Sequence, residues 1–329
     1  MALPLSGPPA GWLPAAFNNG WSYQDRVPAG QSGEWLSVWM ARRYRHSSGE
    51  LWRQRMEAGQ LQRNSEPLRV DVRLAGGELI TWERPPWQED AIPGSWDVIQ
   101  DDGDLLVINK PAGLPVQPGG GFLMHTLTSL LEQRSRSAGE PLPPRPVHRL
   151  GRFTSGLQVC ARTVERRASL TRQFRPEGSC RKVYQAWAHR IPGLEINRPI
   201  DVNSDVVERP HPLLGWIWGP EPLQEEPIRR RLSAHSELRL LERTAAGDRL
   251  QVTIRTGRPH QIRIHLAQLG CPLLGDPLYL LHREIAATAT PGDGGYRLHA
   301  WRLDGPGLRL CCPMAESSQD RAVLKWPDG

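Results

Sequence analysis

The residues able to do chemistry gather in three short stretches of this 329-residue chain. The first is His148-Arg149-Leu150-Gly151-Arg152-Phe153-Thr154-Ser155-Gly156, and the second is Arg181-Lys-Val-Tyr184-Gln-Ala-Trp187. The third is Thr256-Gly-Arg258-Pro-His260-Gln-Ile-Arg263-Ile-His265. Guanidinium forks match phosphate and stack on bases, so Arg149, Arg152, Arg258 and Arg263 point to a polyanion. Each group also has a quieter reading. Tyr184 sits in a strand pattern and serves equally as core. Arg258 and Arg263 suit structural ion pairs as well as phosphates. His148, His260 and His265 fit turn or core hydrogen bonding better than acid–base work. Thr154 and Ser155 fix a turn, since no base is implied beside them. Lys110, before a proline, is either a phosphate contact or a loop cation.

These stretches need a scaffold, and the chain divides into pieces that supply one. Residues 1–33, rich in Pro, Gly, Asn and Trp, read as an extended arm or tail. Residues 34–86 form a small unit. Trp35, Leu36, Trp39 and Met40 recur at helical spacing, and Ser47-Ser48 offers a cap for a second helix with Leu51, Trp52, Arg55 and Met56. Ala58-Gly59 closes that helix, and extended pieces follow at 61–63, 68–74 and 78–82. Arg42, Arg43, Arg45, Arg53 and Arg55 make its helical part basic. Residues 87–95 read as a linker. Residues 96–329 form the larger domain, with β-rich stretches at 157–162, 182–188, 237–241, 249–255 and 307–312 between helices at 126–134 and 163–174. That mixture is α+β around a mixed, mostly antiparallel sheet, not alternating βαβ units. The stretch 203–231 reads as a long excursion on one face.

Bulk properties narrow the class. No apolar run approaches the ~20 residues needed to cross a bilayer. Met1 to Pro14 carries no Lys or Arg and no continuous apolar core, so no secretory signal is read and the expected location is the cytoplasm. The five cysteines (Cys160, Cys180, Cys271, Cys311 and Cys312) show no C-x-x-C spacing, and with His260 and His265 they make no zinc pattern. Reduced thiols and no metal are expected. A net charge of +6 and pI of 9.4 favour a polyanionic partner, with Lys110, Lys182 and Lys325 the only lysines. A genomic bias that raises Arg, Pro, Gly and Ala together accounts for the same composition.

Four segments in order and spacing carry a resemblance. They are Asp104-Leu-Leu-Val-Ile-Asn-Lys-Pro-Ala-Gly-Leu-Pro-Val-Gln-Pro118, Pro146 to Leu157, Arg181 to Trp187, and Thr256 to His265 followed by Leu269 to Tyr279. A trailing Leu298-His-Ala-Trp-Arg302 also fits. Residues 96–315 thereby resemble RNA pseudouridine synthases of the RluA type. The resemblance implies a cleft in an α+β domain, no cofactor and a uridine-containing structured RNA as partner; a monomer with no membrane association is expected. It implies that uridine is flipped out, its N-glycosidic bond broken, and the uracil rejoined through C5. Tyr184 then matches the tyrosine that stacks on uracil, Arg263 the arginine that pairs with the catalytic aspartate, and Arg149 the arginine tied to flipping. Lys110, His148, Arg152, Thr154, Arg258 and His260 become expected RNA contacts. Residues 34–86 resemble an S4-type RNA-binding module through the helix pair and Met56-Glu-Ala-Gly-Gln-Leu-Gln-Arg-Asn64.

One position departs from the pattern. The family reads His-Arg-Leu-Asp where this chain has His148-Arg-Leu-Gly151, and glycine is neither nucleophile nor base. An arginine at 263 without its carboxylate is costly if buried. Asp201, Asp102 and Asp276 are the candidate partners, with Asp276 expected to be structural. The leading readings are an RNA pseudouridine synthase, with ribosomal RNA favoured over transfer RNA, and a non-catalytic RNA-binding protein or chaperone that keeps the cleft; a third is that only the fold survives, in ribosome or protein assembly.

Overall fold

The computed structural model describes residues 11–175, 178–196 and 198–314. Residues 1–10 of the expected arm and 315–329 at the end of the larger domain lie outside them. The described chain forms two compact units: residues 15–89 with 212–215, and residues 11–14, 90–211 and 216–314.

In the smaller unit a four-stranded antiparallel sheet runs β1 (Trp21–Arg26), β4 (Leu79–Arg84), β2 (Leu61–Arg63), β3 (Glu66–Leu68). Helices α1 (Leu36–Arg43) and α2 (Gly49–Glu57) accompany it. Ser48 caps α2 by accepting from the Leu51 N–H, and Gly59 ends it at a φ of 75° that a side chain disfavours. Leu36, Trp39, Met40, Trp52, Met56, Leu61, Ile80 and Trp82 bury together. Residues 21–26, expected within an arm, are an integral strand. Their inward side is Tyr23, stacked on Trp82, and buried Asp25, bonded to the Tyr44 hydroxyl, so no apolar alternation marks them. Residues 69–74, expected as a strand, form only an isolated bridge between Trp35 and Arg73.

The larger unit is built on a mixed sheet, and its strands follow the chain as β5 (Asp97–Asp101), β6 (Leu105–Lys110), β7 (Arg145–Pro146) and β8 (Ser155–Ala161). After them come β9 (Arg181–Ala188), β10 (Ile200–Asn203), β11 (Val206–His211), β12 (Gly215–Gly219) and β13 (Arg230–Leu232). The last are β14 (His235–Arg243), β15 (Asp248–Ile254), β16 (Leu298–Gly305) and β17 (Leu308–Cys311). Across the main sheet the order is β10-β14-β15-β9-β16-β8-β6-β5, with β7 paired to β8 and β17 to β16. Every pairing is antiparallel except β8 with β16. Helices α3 (Leu127–Ala138), α4 (Val164–Phe174) and α5 (Gln261–Gln268) complete the unit. Thr126 and Thr163 cap α3 and α4.

The architecture is the α+β one expected. The stretch 203–231, expected as a long excursion, carries strands that pair in a separate sheet of order β12-β11-β13. Val206, Ile217, Leu278 and Tyr279 bury within one cluster, a long-range partnership invisible in local sequence.

Candidate active site

The turn at 151–154 holds the expected site residues, and neighbouring backbone clamps it. Thr154 N–H donates to the Gly151 carbonyl at 3.1 Å, closing the turn. The Arg152 carbonyl accepts from Gly113 N–H at 2.9 Å and from the Lys110 ammonium at 3.0 Å. Lys110 also donates to the carbonyls of Pro111 (2.8 Å) and Leu114 (2.9 Å) and is 0% exposed. Three ammonium donors thus meet three carbonyls. Burial and the charge of Arg152 lower the Lys110 pKa well below its ordinary value.

Strand pairing then sets the tyrosine. Gly156 on β8 is opposite Ala300 on β16, and Ala300 is opposite Tyr184 on β9. One row of the sheet therefore runs from the end of the turn to Tyr184. A Cβ at Gly156 would stand 2.3 Å from the Ala300 carbonyl, and its φ of 100° suits glycine alone. Ser155 donates to His299 Nδ1 (2.9 Å), whose Nε2–H donates to the Cys312 carbonyl (2.7 Å). Tyr184 is buried, and desolvation raises its pKa, so its phenol is neutral.

Arg263 is buried on α5 and has a carboxylate after all. Its Nε and Nη2 donate to the two oxygens of Asp276, each at 2.7 Å, and Nη1 donates to the Pro291 carbonyl at 3.2 Å. Asp276 Oδ1 also accepts from the N–H groups of Leu278 (3.0 Å) and Tyr279 (3.1 Å), so the pair is fully satisfied. This answers the question posed by Gly151. The arginine guanidinium lies 4.1 Å from the Tyr296 ring centroid and 4.8 Å from that of Tyr279. Although burial opposes its charge, the bond to Asp276 and the neighbouring phenols raise its pKa. The other two candidate acids are used elsewhere. Asp201 bonds His235 at 2.9 Å on β10, and Asp102 accepts from the N–H groups of Asp104 and Leu105.

His260 begins α5 at a φ of 52°. The Tyr279 hydroxyl donates to the Trp218 carbonyl, so it accepts from His260 Nδ1–H at 2.6 Å. Burial, then the charges of Arg263 and Arg149, push the His260 pKa down to about 3. Arg149 itself is exposed and makes no ion pair among the described residues.

Several of the expected RNA contacts have partners within the fold. Lys110 and Thr154 are buried. His148 stacks on Phe174, and its Nε2 accepts from Val159 N–H at 3.0 Å. Arg152 lies over the rings of Phe122 (4.4 Å) and Phe153 (4.9 Å), with Nε donating to the Gly113 carbonyl. Arg258 donates to the Ser233 carbonyl at 2.9 Å. In the smaller unit Arg42 pairs with Glu34, Arg43 with Asp25 and Arg53 with Glu50. Arg55 stacks between Trp52 (4.4 Å) and Trp82 (4.6 Å). Arg45 is exposed and without an ion pair among the described residues. Arg42, Arg43, Arg55 and Arg152 sit beside acids or aromatic rings, and Arg258 beside a carbonyl, that local periodicity does not reveal.

Tyr296 was not singled out by the sequence, yet its hydroxyl is 3.1 Å from where a Cβ at Gly151 would lie. The signal was slight, an aromatic residue two positions before Leu298-His299. Among the described residues no group of three or more His, Cys, Asp or Glu is placed to hold a metal ion. The cysteines are free, and Cys160, Cys180, Cys271 and Cys312 are buried.

The mixed sheet, with a tyrosine strand in register with a clamped turn, defines a pseudouridylate-synthase fold. Two human proteins share it: RNA pseudouridylate synthase domain containing 4 (TM-score 0.53, 23% identity, 67% of this chain and 89% of that one) and domain containing 1 (TM-score 0.50, 20% identity, 72% and 97%). The chain belongs to the RNA pseudouridylate synthase family, isomerases that act on RNA, whose family model matches residues 104–268. It is 40% identical to an RNA pseudouridine synthase of Synechocystis sp. over 80% of this chain and 86% of that protein. It is 33% identical to RNA pseudouridine synthase 5 of Arabidopsis thaliana (89% and 90%) and 30% identical to ribosomal large subunit pseudouridine synthase D of Xylella fastidiosa (79% and 75%).

Proposed function

We propose that this protein isomerises uridine to pseudouridine in structured RNA, with ribosomal RNA the first choice and transfer RNA the second. It acts as a cytoplasmic monomer, and residues 34–86 serve as an S4-like module that grips the RNA. The observation that carries the reading is the row Gly156–Ala300–Tyr184, which aligns the tyrosine strand with the turn bearing Arg149 and Gly151. The likeness to a ribosomal large subunit enzyme supports the choice of ribosomal RNA.

The reaction is a redistribution within the nucleoside. The C1′–N1 bond breaks with its electron pair on the uracil, C1′ bonds C5, and the proton on C5 is replaced by one on N1. Nothing is oxidised. In this reading the neutral Tyr184 ring stacks on the flipped base, and exposed Arg149 holds the displaced backbone phosphate. Arg263 acts through its surroundings, because Asp276 already satisfies it.

Gly151 favours a second reading, an RNA-binding protein or chaperone that flips RNA without isomerising it. One experiment separates the two. The full chain is incubated with unmodified ribosomal and transfer RNA transcripts, and pseudouridine is mapped chemically. Product at defined uridines supports the enzyme; tight, salt-sensitive binding without product supports the chaperone. Affinity that ignores salt would remove both.

A further inference from the structure

We propose that Tyr296 replaces the missing carboxylate: its phenolic oxygen is the group that meets the glycosidic carbon in this site. The inference rests on the isomerase reading above and supplies the reacting group that Gly151 cannot.

Four observations converge on it. Among the described residues other than its chain neighbours, a Cβ built on Gly151 would have Tyr296 Oη, at 3.1 Å, and Thr154 Oγ1, at 3.3 Å, within 4 Å. The phenolic oxygen thus occupies space that a carboxylate hung from residue 151 would reach. Gly151 is exposed to solvent, with the buried Tyr296 ring beside it. The Tyr296 ring faces Arg263 at 4.1 Å, and that arginine is the one the resemblance pairs with a carboxylate. The Tyr296 hydroxyl makes no hydrogen bond among the described residues, in contrast to the Tyr279 hydroxyl, which makes two.

The segment carrying Tyr296 is held firmly against the turn. The Pro291 carbonyl accepts from Arg263, and the backbones at Gly275 and Gly295 approach so closely that a Cβ on either would stand 2.4–2.5 Å from the other's carbonyl. A Cβ at Gly294 would overlap the Phe153 ring at 2.4 Å. The nearby acids are less suited. Asp276 already accepts four hydrogen bonds. Asp90, 3.7 Å from Arg152, has a side chain 74% exposed. Asp293 spends both oxygens on Thr290, at 2.7 and 3.0 Å.

The step balances without another reactant. As the C1′–N1 bond breaks, its electron pair passes to the uracil, Tyr296 Oη bonds C1′, and the phenolic proton moves to uracil O2. After the uracil turns, C5 bonds C1′ and the C1′–Oη bond breaks with its pair on oxygen. The C5 proton returns to that oxygen, and the proton on O2 relocates to N1. A phenol nucleophile splits one difficult displacement into two easier ones.

The test measures single-turnover pseudouridine formation in an unmodified ribosomal RNA transcript, with RNA affinity and thermal melting followed in parallel. Tyr296→Phe is expected to lose about 10²–10⁴-fold in rate with affinity and melting unchanged. Asp293→Asn keeps the wild-type rate, and Gly151→Asp added to Tyr296→Phe recovers activity by restoring an oxygen in the same space. A fluorinated tyrosine at 296 keeps the shape, acidifies the phenol and changes the rate, which covers a Phe variant that does not fold. Wild-type rate in Tyr296→Phe, or an unchanged rate with the fluorinated tyrosine, overturns the proposal. Loss of activity in Asp293→Asn beside an active Tyr296→Phe also overturns it and moves the role to Asp293. No pseudouridine from the wild-type chain is a different result: it removes the isomerase reading, and this inference with it.

Discussion

Two glycines five residues apart in one motif are there for opposite reasons. Gly156 is buried at a φ of 100°, with the Ala300 carbonyl 2.3 Å from where its Cβ would be. Backbone conformation and strand approach both demand it. Gly151 is exposed, its φ lies outside the left-handed region, and among the described residues beyond its chain neighbours two hydroxyl oxygens crowd its Cβ position. The fold therefore requires one glycine and merely admits the other. An absent side chain at 151 is a statement about chemistry, since no architectural need explains it. The Arg263–Asp276 pair completes the point: removing a carboxylate from 151 leaves no buried charge alone.

The largest effect is expected at the demanded glycine. Gly156→Ala combines a left-handed residue with overpacking against backbone and should cost about 4 kcal/mol. A denaturant midpoint near the wild-type value would show that β8 and β16 can part, and would erase the contrast. Lys110→Met comes next. It leaves the Pro111 and Leu114 carbonyls without their donor, while relieving the burial of a charge. The orphaned carbonyls dominate, for a net loss of about 2 kcal/mol. The variant also frees the Arg152 carbonyl from one of its two donors, so hydrogen exchange at Gly113 and Thr154 should accelerate.

Legibility in the sequence followed how local each cause was. The α2 cap at Ser48, the closing Gly59 and the helix over 164–174 were visible because their signals lie within a turn of the residues concerned. The α+β class and the site-bearing segments were visible through residue pattern and motif. The strand at 21–26 was hidden by the polar inward face of Tyr23 and Asp25. The sheet within 203–231 was hidden because its core partners, Leu278 and Tyr279, are some fifty residues away or more. Tyr296 and the burial of Lys110 depend on contacts across roughly 145 and 42 positions, which spacing cannot report.

The first residue of the motif carries a smaller, pH-dependent effect. His148 is neutral, stacked on Phe174, and its pKa is pushed down to about 3 by burial and then by Lys182. Its folded pKa is below the unfolded value of about 6.5. The stability it preserves is therefore fully present above that unfolded value and is lost as pH falls toward about 3. Within that window the unfolded chain takes a proton the native ring refuses, worth up to about 1.4 kcal/mol per pH unit. His148→Gln keeps an acceptor for Val159 N–H and removes the titration. Urea midpoints at neutral pH and at pH near 5 should therefore converge more in this variant than in the wild type. Equal pH sensitivity in both would mean that the motif's first position is no more demanded by the fold than Gly151.

The smallest effect belongs to Gly151→Ala, and it decides the comparison. The new methyl group meets Tyr296 Oη at 3.1 Å and Thr154 Oγ1 at 3.3 Å, so each must yield by a few tenths of an ångström. Tyr296 Oη has no hydrogen bond to break among the described residues, so the shift costs packing of its buried ring alone. An alanine also restricts the unfolded chain more than glycine does, an opposing gain of about 0.4–1 kcal/mol where the native φ is compatible. The two contributions nearly cancel, and the midpoint should move by no more than about 0.5 kcal/mol. Thermal melting of Gly151→Ala beside Gly156→Ala measures the contrast directly. Equal losses would mean that the 151–154 turn needs its glycine for architecture, and the chemical meaning given to that position would have to be withdrawn.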